Sequence, residues 1–122
     1  MSKAAKSVFI FGIYLVINGL GFLLVPNTVL SMLGLPMTTE PWVHILGMLL
    51  LILAYYYIQS ARSELTQFLR FTVYARASVI VFVITFIIVG IAPPILIIFA
   101  VIDLLSAIWT AFALKAHNIV ST

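Results

Sequence analysis

Four long apolar stretches divide the chain, and shorter segments richer in proline, glycine and polar residues separate them. The stretches cover approximately residues 4–25, 42–60, 68–90 and 94–116. Each is close to the roughly 20 residues that a helix needs to cross a hydrocarbon core of about 30 Å. Backbone groups in lipid must satisfy one another, so segments of this length form helices. The pattern predicts an all-α, membrane-spanning protein with a single domain, residues 1–122.

Composition supports this prediction, since 65% of the 122 residues are hydrophobic and only 7% are charged. A soluble domain carries roughly 25% charged residues. We therefore expect the lipid bilayer to surround this chain and to be its first partner. The chain has no cysteine, which excludes disulfides, thiolate metal sites and a cysteine nucleophile. The basic residues are too dispersed to form a nucleic-acid surface, and we expect no nucleic-acid partner.

The basic residues predict the orientation of the helices. Five of the six flank the spans at one end of the predicted bundle: Lys3, Lys6, Arg62, Arg70 and Lys115. The links over residues 26–41 and 91–93 contain neither Lys nor Arg. The positive-inside rule therefore places both termini and the middle link in the cytoplasm. Short links predict that the second and third spans pair, and the third and fourth likewise, in an up-down-up-down four-helix bundle.

The link over residues 26–41 is too apolar for a solvated loop. We expect Asn27 or Thr28 to cap a short helix that runs to Leu33, with Gly34 ending it. Such a helix would lie on the outer membrane surface or fold over the mouth of the bundle. In the following link, Pro93 or Pro94 is expected to begin the fourth span.

Small and polar residues at heptad spacing mark the faces that should pack together. Lipid provides no hydrophobic drive between helices, so close backbone approach and hydrogen bonds decide which faces meet. Small residues recur in the first two spans: Gly12 and Gly19, then Gly47, Ala54 and Ala61. Polar stripes run along the first and fourth spans: Ser7, Tyr14, Asn18 and Gly21, then Asp103, Ser106, Thr110, Ala113 and His117. We favour packing as the role of these stripes.

Asp103 is the most anomalous residue, because it lies near the predicted membrane midplane. A carboxylate there costs on the order of 2.5–3.5 kcal/mol on insertion scales, so we expect it to face inward, with Asn18 as a neighbour at similar depth. Two interpretations stay open. Asp103 is either a ligand-binding or proton-linked carboxyl, or a structural group that fixes helix register.

Arg76 lies about two turns into the third span. We expect its side chain to extend back to the lipid headgroups, with Ser78 as the inward polar residue of that span. The alternative is an internal pair with Asp103 or with tyrosines of similar depth such as Tyr56. The candidate ligand-binding set is Asp103, Asn18, Arg76, Tyr56, Ser106 and Thr110.

Other chemistry has little support. His44 and Glu40 are the only metal-ligand candidates, and two ligands make a poor site, so we expect no metal and no cofactor. We find no catalytic motif, and an enzymatic activity is the least favoured interpretation.

The whole chain resembles the DoxX-like small membrane proteins. The matching features are a glycine-bearing first helix, an arginine in the third helix and four short motifs: Leu24-Val25-Pro26, Leu33-Gly34-Leu35-Pro36, Trp42 with Gly47, and Asp103-Leu104-Leu105 with Trp109-Thr110. The resemblance implies a four-helix bundle and little about chemistry. Small multidrug-resistance transporters share the length, but they carry a glutamate in the first helix, where this chain has no acid.

Two functions follow as hypotheses, both in what we expect to be a bacterial inner membrane. The leading one is a small non-catalytic subunit or assembly factor that acts by helix packing, in a homo-oligomer or with other membrane subunits. The alternative is a binding or transport module for a small hydrophobic or weakly basic molecule, quinone-like or lipid-like, that uses Asp103.

Overall fold

Helices account for most of the chain in the computed structural model, which describes the backbone of residues 1–121 and the side chains of residues 1–116. The elements are α1 (Lys3–Leu24), α2 (Pro26–Met32), α3 (Trp42–Arg62), α4 (Thr66–Ile88), a 3₁₀ turn (Pro94–Leu96) and α5 (Ile97–Ser121). The side chain of His117, the last member of the predicted polar stripe, lies outside the described residues.

Four of these helical segments are long and apolar enough to cross a membrane: Lys3–Leu24, Trp42–Arg62, Thr66–Ile88 and Pro94–Ala116. They lie at nearly the same positions as the four predicted spans. The prediction of an all-α chain with four candidate membrane spans is therefore confirmed, and the chain has the character of an integral membrane protein.

Glycines bring α1 and α3 into close contact. A Cβ added at Gly12 would lie 2.8 Å from Ile58, and one added at Gly19 would lie 2.9 Å from Leu51. The beginning of α1 therefore lies beside the end of α3. The alanines of the predicted α3 face are also buried, Ala54 at 1% and Ala61 at 0% exposure. The small residues do form a packing face, as their spacing predicted.

The helices are arranged with α1 between α3 and α5, while α4 packs mainly against α5. The prediction that α3 and α4 pair through their short link is wrong, since these two helices share few contacts. One of these is an edge-on contact between Tyr57 and Phe68, with ring centroids 6.0 Å apart. The reason is competition, because the small-residue face of α3 approaches α1 and is not available to α4.

The connection between α1 and α3 folds back over the bundle. Helix α2 begins at Pro26, whose fixed φ suits the first helical position, and not at a cap formed by Asn27 or Thr28. The Asn27 side chain instead accepts a hydrogen bond from the Thr38 backbone N–H at 2.9 Å. Leu30 is 1% exposed, so α2 is packed on the bundle. Gly34, with φ of 73°, follows the helix as predicted.

The contact between α1 and α3 predicts the effect of adding one methyl group at Gly47. Its Cβ would lie 2.6 Å from the Leu23 nitrogen and 2.8 Å from the Gly19 oxygen, and both atoms belong to the backbone. We expect Gly47→Ala to lower the free energy of unfolding by about 1–3 kcal/mol, the usual cost of overpacking. Unfolding of the purified protein by dodecyl sulfate, followed by circular dichroism, measures this change.

Gly21→Ala is the matched control, because its added Cβ would meet only the tip of the Val29 side chain, at 3.1 Å. That variant should be as stable as the unsubstituted protein or more so, since alanine favours helix. Equal stabilities for the two variants would contradict the close backbone contact.

Candidate functional site

Arg76 is 2% exposed, and its guanidinium lies between α4 and α5. Its Nε donates to the Thr72 carbonyl oxygen at 3.2 Å, and its Nη1 donates to Ser106 Oγ at 3.1 Å. Its Nη2 donates to Thr72 Oγ1 at 3.1 Å and to Thr110 Oγ1 at 2.9 Å. A charged group of one helix is thus bound by neutral acceptors of two helices.

The hydroxyl groups around Arg76 suit this role because their own protons are directed elsewhere. Ser106 Oγ donates to the Asp103 carbonyl, Thr110 Oγ1 to the Ser106 carbonyl, and Thr72 Oγ1 to the Leu69 carbonyl, at 2.8, 3.1 and 2.6 Å. Each hydroxyl oxygen therefore keeps lone pairs for the guanidinium. The polar stripe of α5 is consequently a set of acceptors for one arginine.

Helix α1 joins this network at two points. Ser7 Oγ lies 2.6 Å from Thr110 Oγ1 in a buried hydrogen bond. The Phe11 ring faces the guanidinium, with its centroid 5.0 Å from Arg76 Cζ, a distance typical of a cation–π contact. Three helices are therefore held together at the depth of Arg76.

The prediction that Arg76 extends to the headgroups is wrong. The inward face of α4 consists of Leu69, Thr72 and Arg76, whereas Ser78 Oγ donates to the Ala75 carbonyl within its own helix. The physical reason is the supply of acceptors on α5, which satisfies the guanidinium without moving it out of the apolar region. Thr72, one turn before Arg76 on the same helix face, is the sequence signal that left the interior position open.

A cavity of about 350 Å³ lies between α1, α3 and α5, beyond the Arg76 network along the bundle, and α2 covers it. Its apolar lining is formed by Leu15, Phe22, Leu30, Leu33, Leu35, Trp42, Leu46, Leu50, Leu96 and Phe99. Asp103, Asn18 and Tyr14 complete the wall. The cavity is therefore an apolar chamber with a carboxyl, an amide and a phenol on its wall.

Asp103 and Asn18 share this cavity, as their matched depths predicted, but no hydrogen bond joins them. The Asn18 amide donates to the Tyr14 carbonyl at 2.8 Å. Among the described residues, no side chain donates a hydrogen bond to the Asp103 carboxylate, and the ion pairs within 4 Å do not include it. The carboxylate of this cavity-lining residue therefore receives no hydrogen bond from a described side chain.

Asp103 and Arg76 are nevertheless electrostatic neighbours. Asp103 lies one helical turn from Ser106, which accepts a hydrogen bond from Arg76. A guanidinium and an ionised carboxylate attract each other more in a medium of low dielectric constant than in water. When ionised, the Asp103 carboxyl is therefore stabilised by Arg76 without a direct salt bridge.

The other predicted site residues lie apart from this region. Tyr56 is 55% exposed, whereas its neighbour Tyr57 is 5% exposed and packs on Phe11, because consecutive helical residues point about 100° apart.

The metal-ligand candidates His44 and Glu40 do not form a metal site. His44 is exposed, and its Nδ1 lies 3.0 Å from the Leu23 carbonyl oxygen. Within the described part of the chain, no group of three or more His, Asp or Glu residues is placed to bind a metal, and Glu40 is exposed as well.

Comparison with protein-family models, with curated proteins and with solved structures found no match. The class of protein that the fold and site define is accordingly a small helical membrane protein. Its distinguishing features are the buried arginine network and the carboxylate-bearing cavity beside it.

The network predicts that Thr110→Val destabilises the protein. The change removes one acceptor of the buried guanidinium and the hydrogen-bond partner of Ser7. Hydrogen bonds to charged groups contribute about 1.5–3 kcal/mol, and we expect a loss of that size in the same dodecyl sulfate titration.

Thr85→Val is the matched control for this prediction. Thr85 is exposed and donates only to the Val81 carbonyl of its own helix, at 2.8 Å. Its replacement should change the free energy of unfolding by less than about 0.5 kcal/mol. A Thr110→Val variant as stable as Thr85→Val would show that the network contributes nothing to stability.

Proposed function

We propose that this chain is a membrane-embedded binding protein for a small apolar molecule that carries a basic nitrogen. The observation that carries the proposal is Asp103, which lines an otherwise largely apolar cavity and whose carboxylate receives no hydrogen bond from the described side chains. A buried carboxylate in this position offers hydrogen-bond acceptors and a negative charge to whatever enters.

The size and lining of the cavity support a small-molecule ligand. Pockets for such ligands have volumes of about 300–1,000 Å³, with mostly apolar walls and a few polar groups that fix orientation. The cavity of about 350 Å³ lies at the lower end of this range. A small apolar body matches the volume and the apolar lining of the cavity, and one cationic group matches Asp103 on its wall.

A basic nitrogen suits the wall better than a quinone does. Quinone carbonyls only accept hydrogen bonds, and an ionised carboxylate only accepts them too. The Asn18 amide donates to the Tyr14 carbonyl, which leaves it one further N–H. An ammonium group supplies the hydrogen-bond donors that the Asp103 carboxylate lacks.

The topology that we propose is up-down-up-down, with both termini in the cytoplasm of a bacterial inner membrane. The placement of Lys and Arg at one end of the bundle supports it. In this orientation the cavity lies in the outer half of the membrane, at the end of the bundle that contains Phe22, Trp42 and Leu96. The DoxX-like resemblance is consistent with such a bundle and stays a proposal.

The test compares n-octylamine with n-octanol as probes, because the two share an apolar chain and differ in the charged group. Binding is measured by calorimetry on the protein in lipid nanodiscs. We expect the protein to prefer the amine and Asp103→Asn to weaken amine binding by roughly 10-fold or more, the factor that about 1.5–3 kcal/mol implies. Binding of the alcohol should be unchanged.

Glu40→Gln is the control, since it makes the same acid-to-amide change at an exposed site outside the cavity lining. It should bind the amine as the unsubstituted protein does. Equal amine affinities for Asp103→Asn and Glu40→Gln would overturn the proposal. Preference for a short-chain quinone over octylamine would overturn the choice of ligand class.

A packing role is the second candidate, and the exposure of α4 favours it. All buried residues of α4 belong to its first half, whereas Phe82 and Ile88 in its second half are 59% and 78% exposed. We propose that a second copy of the chain covers this half. The protein would then act as one subunit of a homo-oligomer, and the second half of α4 would pack against the second copy within the membrane.

Because the chain has no cysteine, single cysteines report on such a contact directly. We expect Phe82→Cys to form a disulfide-linked dimer in oxidised membranes. Ile17→Cys is the control, because Ile17 of α1 is exposed to a similar extent, at 67%. The Ile17→Cys protein should stay monomeric. Equal cross-linking of the two variants, or none in either, would indicate that lipid alone covers α4.

A further inference from the structure

A second concave site lies on the surface between α4 and α5, on the side of the bundle where both helices carry a basic residue. This groove has a volume of about 360 Å³ and is lined by Arg70, Val73, Tyr74, Ala111, Leu114 and Lys115. It shares no lining residue with the cavity that contains Asp103. Nothing in the proposed function uses it.

The lining residues form two matching stripes. On α4, Val73 and Tyr74 follow Arg70 by three and four residues, so all three lie on one helix face. On α5, Leu114 and Lys115 follow Ala111 at the same spacing. Arg76 contacts Ser106 and Thr110, whereas Arg70, six residues earlier, lines the groove with Lys115, so α4 and α5 run antiparallel. Arg70 and Lys115 therefore lie toward the same end of the groove.

The chemistry of the groove is divided along its length. Arg70 and Lys115 provide two cationic groups at one end, and no lining residue is acidic. Val73, Ala111 and Leu114 provide an apolar surface that continues toward the middle of the spans. A ligand that fits both parts must be anionic at one end and apolar along the rest.

We propose that this groove binds an anionic phospholipid, with the phosphate between Arg70 and Lys115 and an acyl chain along Val73 and Ala111. An arginine guanidinium binds phosphate oxygens through paired N–H groups, and a lysine adds a point charge. Basic pockets between membrane helices at the headgroup level bind anionic lipids for this reason. A bound lipid also offsets the repulsion between the two cations.

The site differs from general attraction of basic residues to a membrane surface in two respects. It is saturable at one lipid for each chain, and it needs the apolar half of the groove as well as the charges. Lys3 and Lys6 provide a comparison, because they are exposed basic residues near the beginning of α1 and do not line the groove.

Native mass spectrometry of the detergent-solubilised chain tests the proposal. The probes are phosphatidylglycerol, phosphatidylcholine with the same acyl chains, and inorganic phosphate. We expect one phosphatidylglycerol to be retained in preference to phosphatidylcholine. The double variant Arg70→Gln/Lys115→Gln should weaken that binding by roughly 10-fold or more, and Lys3→Gln/Lys6→Gln, which removes the same charge, should leave it unchanged.

Ala111→Phe provides an independent arm, because it fills the apolar part and keeps both cations. It should reduce phosphatidylglycerol binding while the dodecyl sulfate unfolding midpoint stays within error. Equal loss in the two double variants would overturn the proposal in favour of diffuse attraction. Competition by inorganic phosphate at the same concentration as lipid, or full binding by Ala111→Phe, would show that only the headgroup charge matters and would overturn the acyl-chain part.

Discussion

A guanidinium enclosed among apolar helices needs acceptors for its N–H groups, and this requirement organises the bundle. Arg76 finds them in Thr72 of its own helix and in Ser106 and Thr110 of α5. Leaving a buried charged donor unsatisfied costs several kcal/mol, so the rotation of α4 and its register against α5 are determined together. Ser7 extends the same constraint to α1. One side chain thus relates three of the four long helices.

The two halves of the bundle are held by different interactions, and this difference leaves room for the cavity. Glycines bring α1 and α3 together along their length, while the arginine network joins α4, α5 and α1 in one half only. Helix α4 contributes no buried residue beyond Arg76. In the other half, α3 and α5 are spaced apart on either side of α1, and the space between them is covered by α2 rather than by a fourth long helix.

The sequence predicted the features that depend on local pattern and failed where side chains compete for partners. Span positions follow from hydropathy, and the contact face of Gly47, Ala54 and Ala61 follows from spacing, because both are properties of single helices. The rotation of α4 was not predictable in this way, since an arginine two turns into a membrane can reach either headgroups or internal hydroxyls. The position of the Arg76 side chain depends on which α5 residues face it, and this depends on the packing of the two helices rather than on the sequence of α4 alone.

The cavity was partly accessible from the sequence. The polar stripe of α1 contains both Tyr14 and Asn18, and matched depth brought Asn18 together with Asp103, all three of which line the wall. The apolar part of the wall left no signal, because Leu46, Leu50 and Phe99 resemble every other apolar residue of their spans. Tyr56 and Tyr57 show the limit most clearly, since adjacent tyrosines differ tenfold in exposure and only the helix rotation distinguishes them.

The separation of Asp103 from Arg76 is the arrangement on which the proposed function depends. A direct salt bridge would have satisfied both groups and left an inert core. Here the hydroxyls of α4 and α5 satisfy the cation, and Asp103, one turn away on the cavity wall, keeps a carboxylate without a side-chain donor. The positive charge nearby lowers the cost of holding that carboxylate in lipid, while the absence of a direct contact leaves it available. A structural arginine and an accessible aspartate are therefore two parts of one solution to burying charge in a membrane.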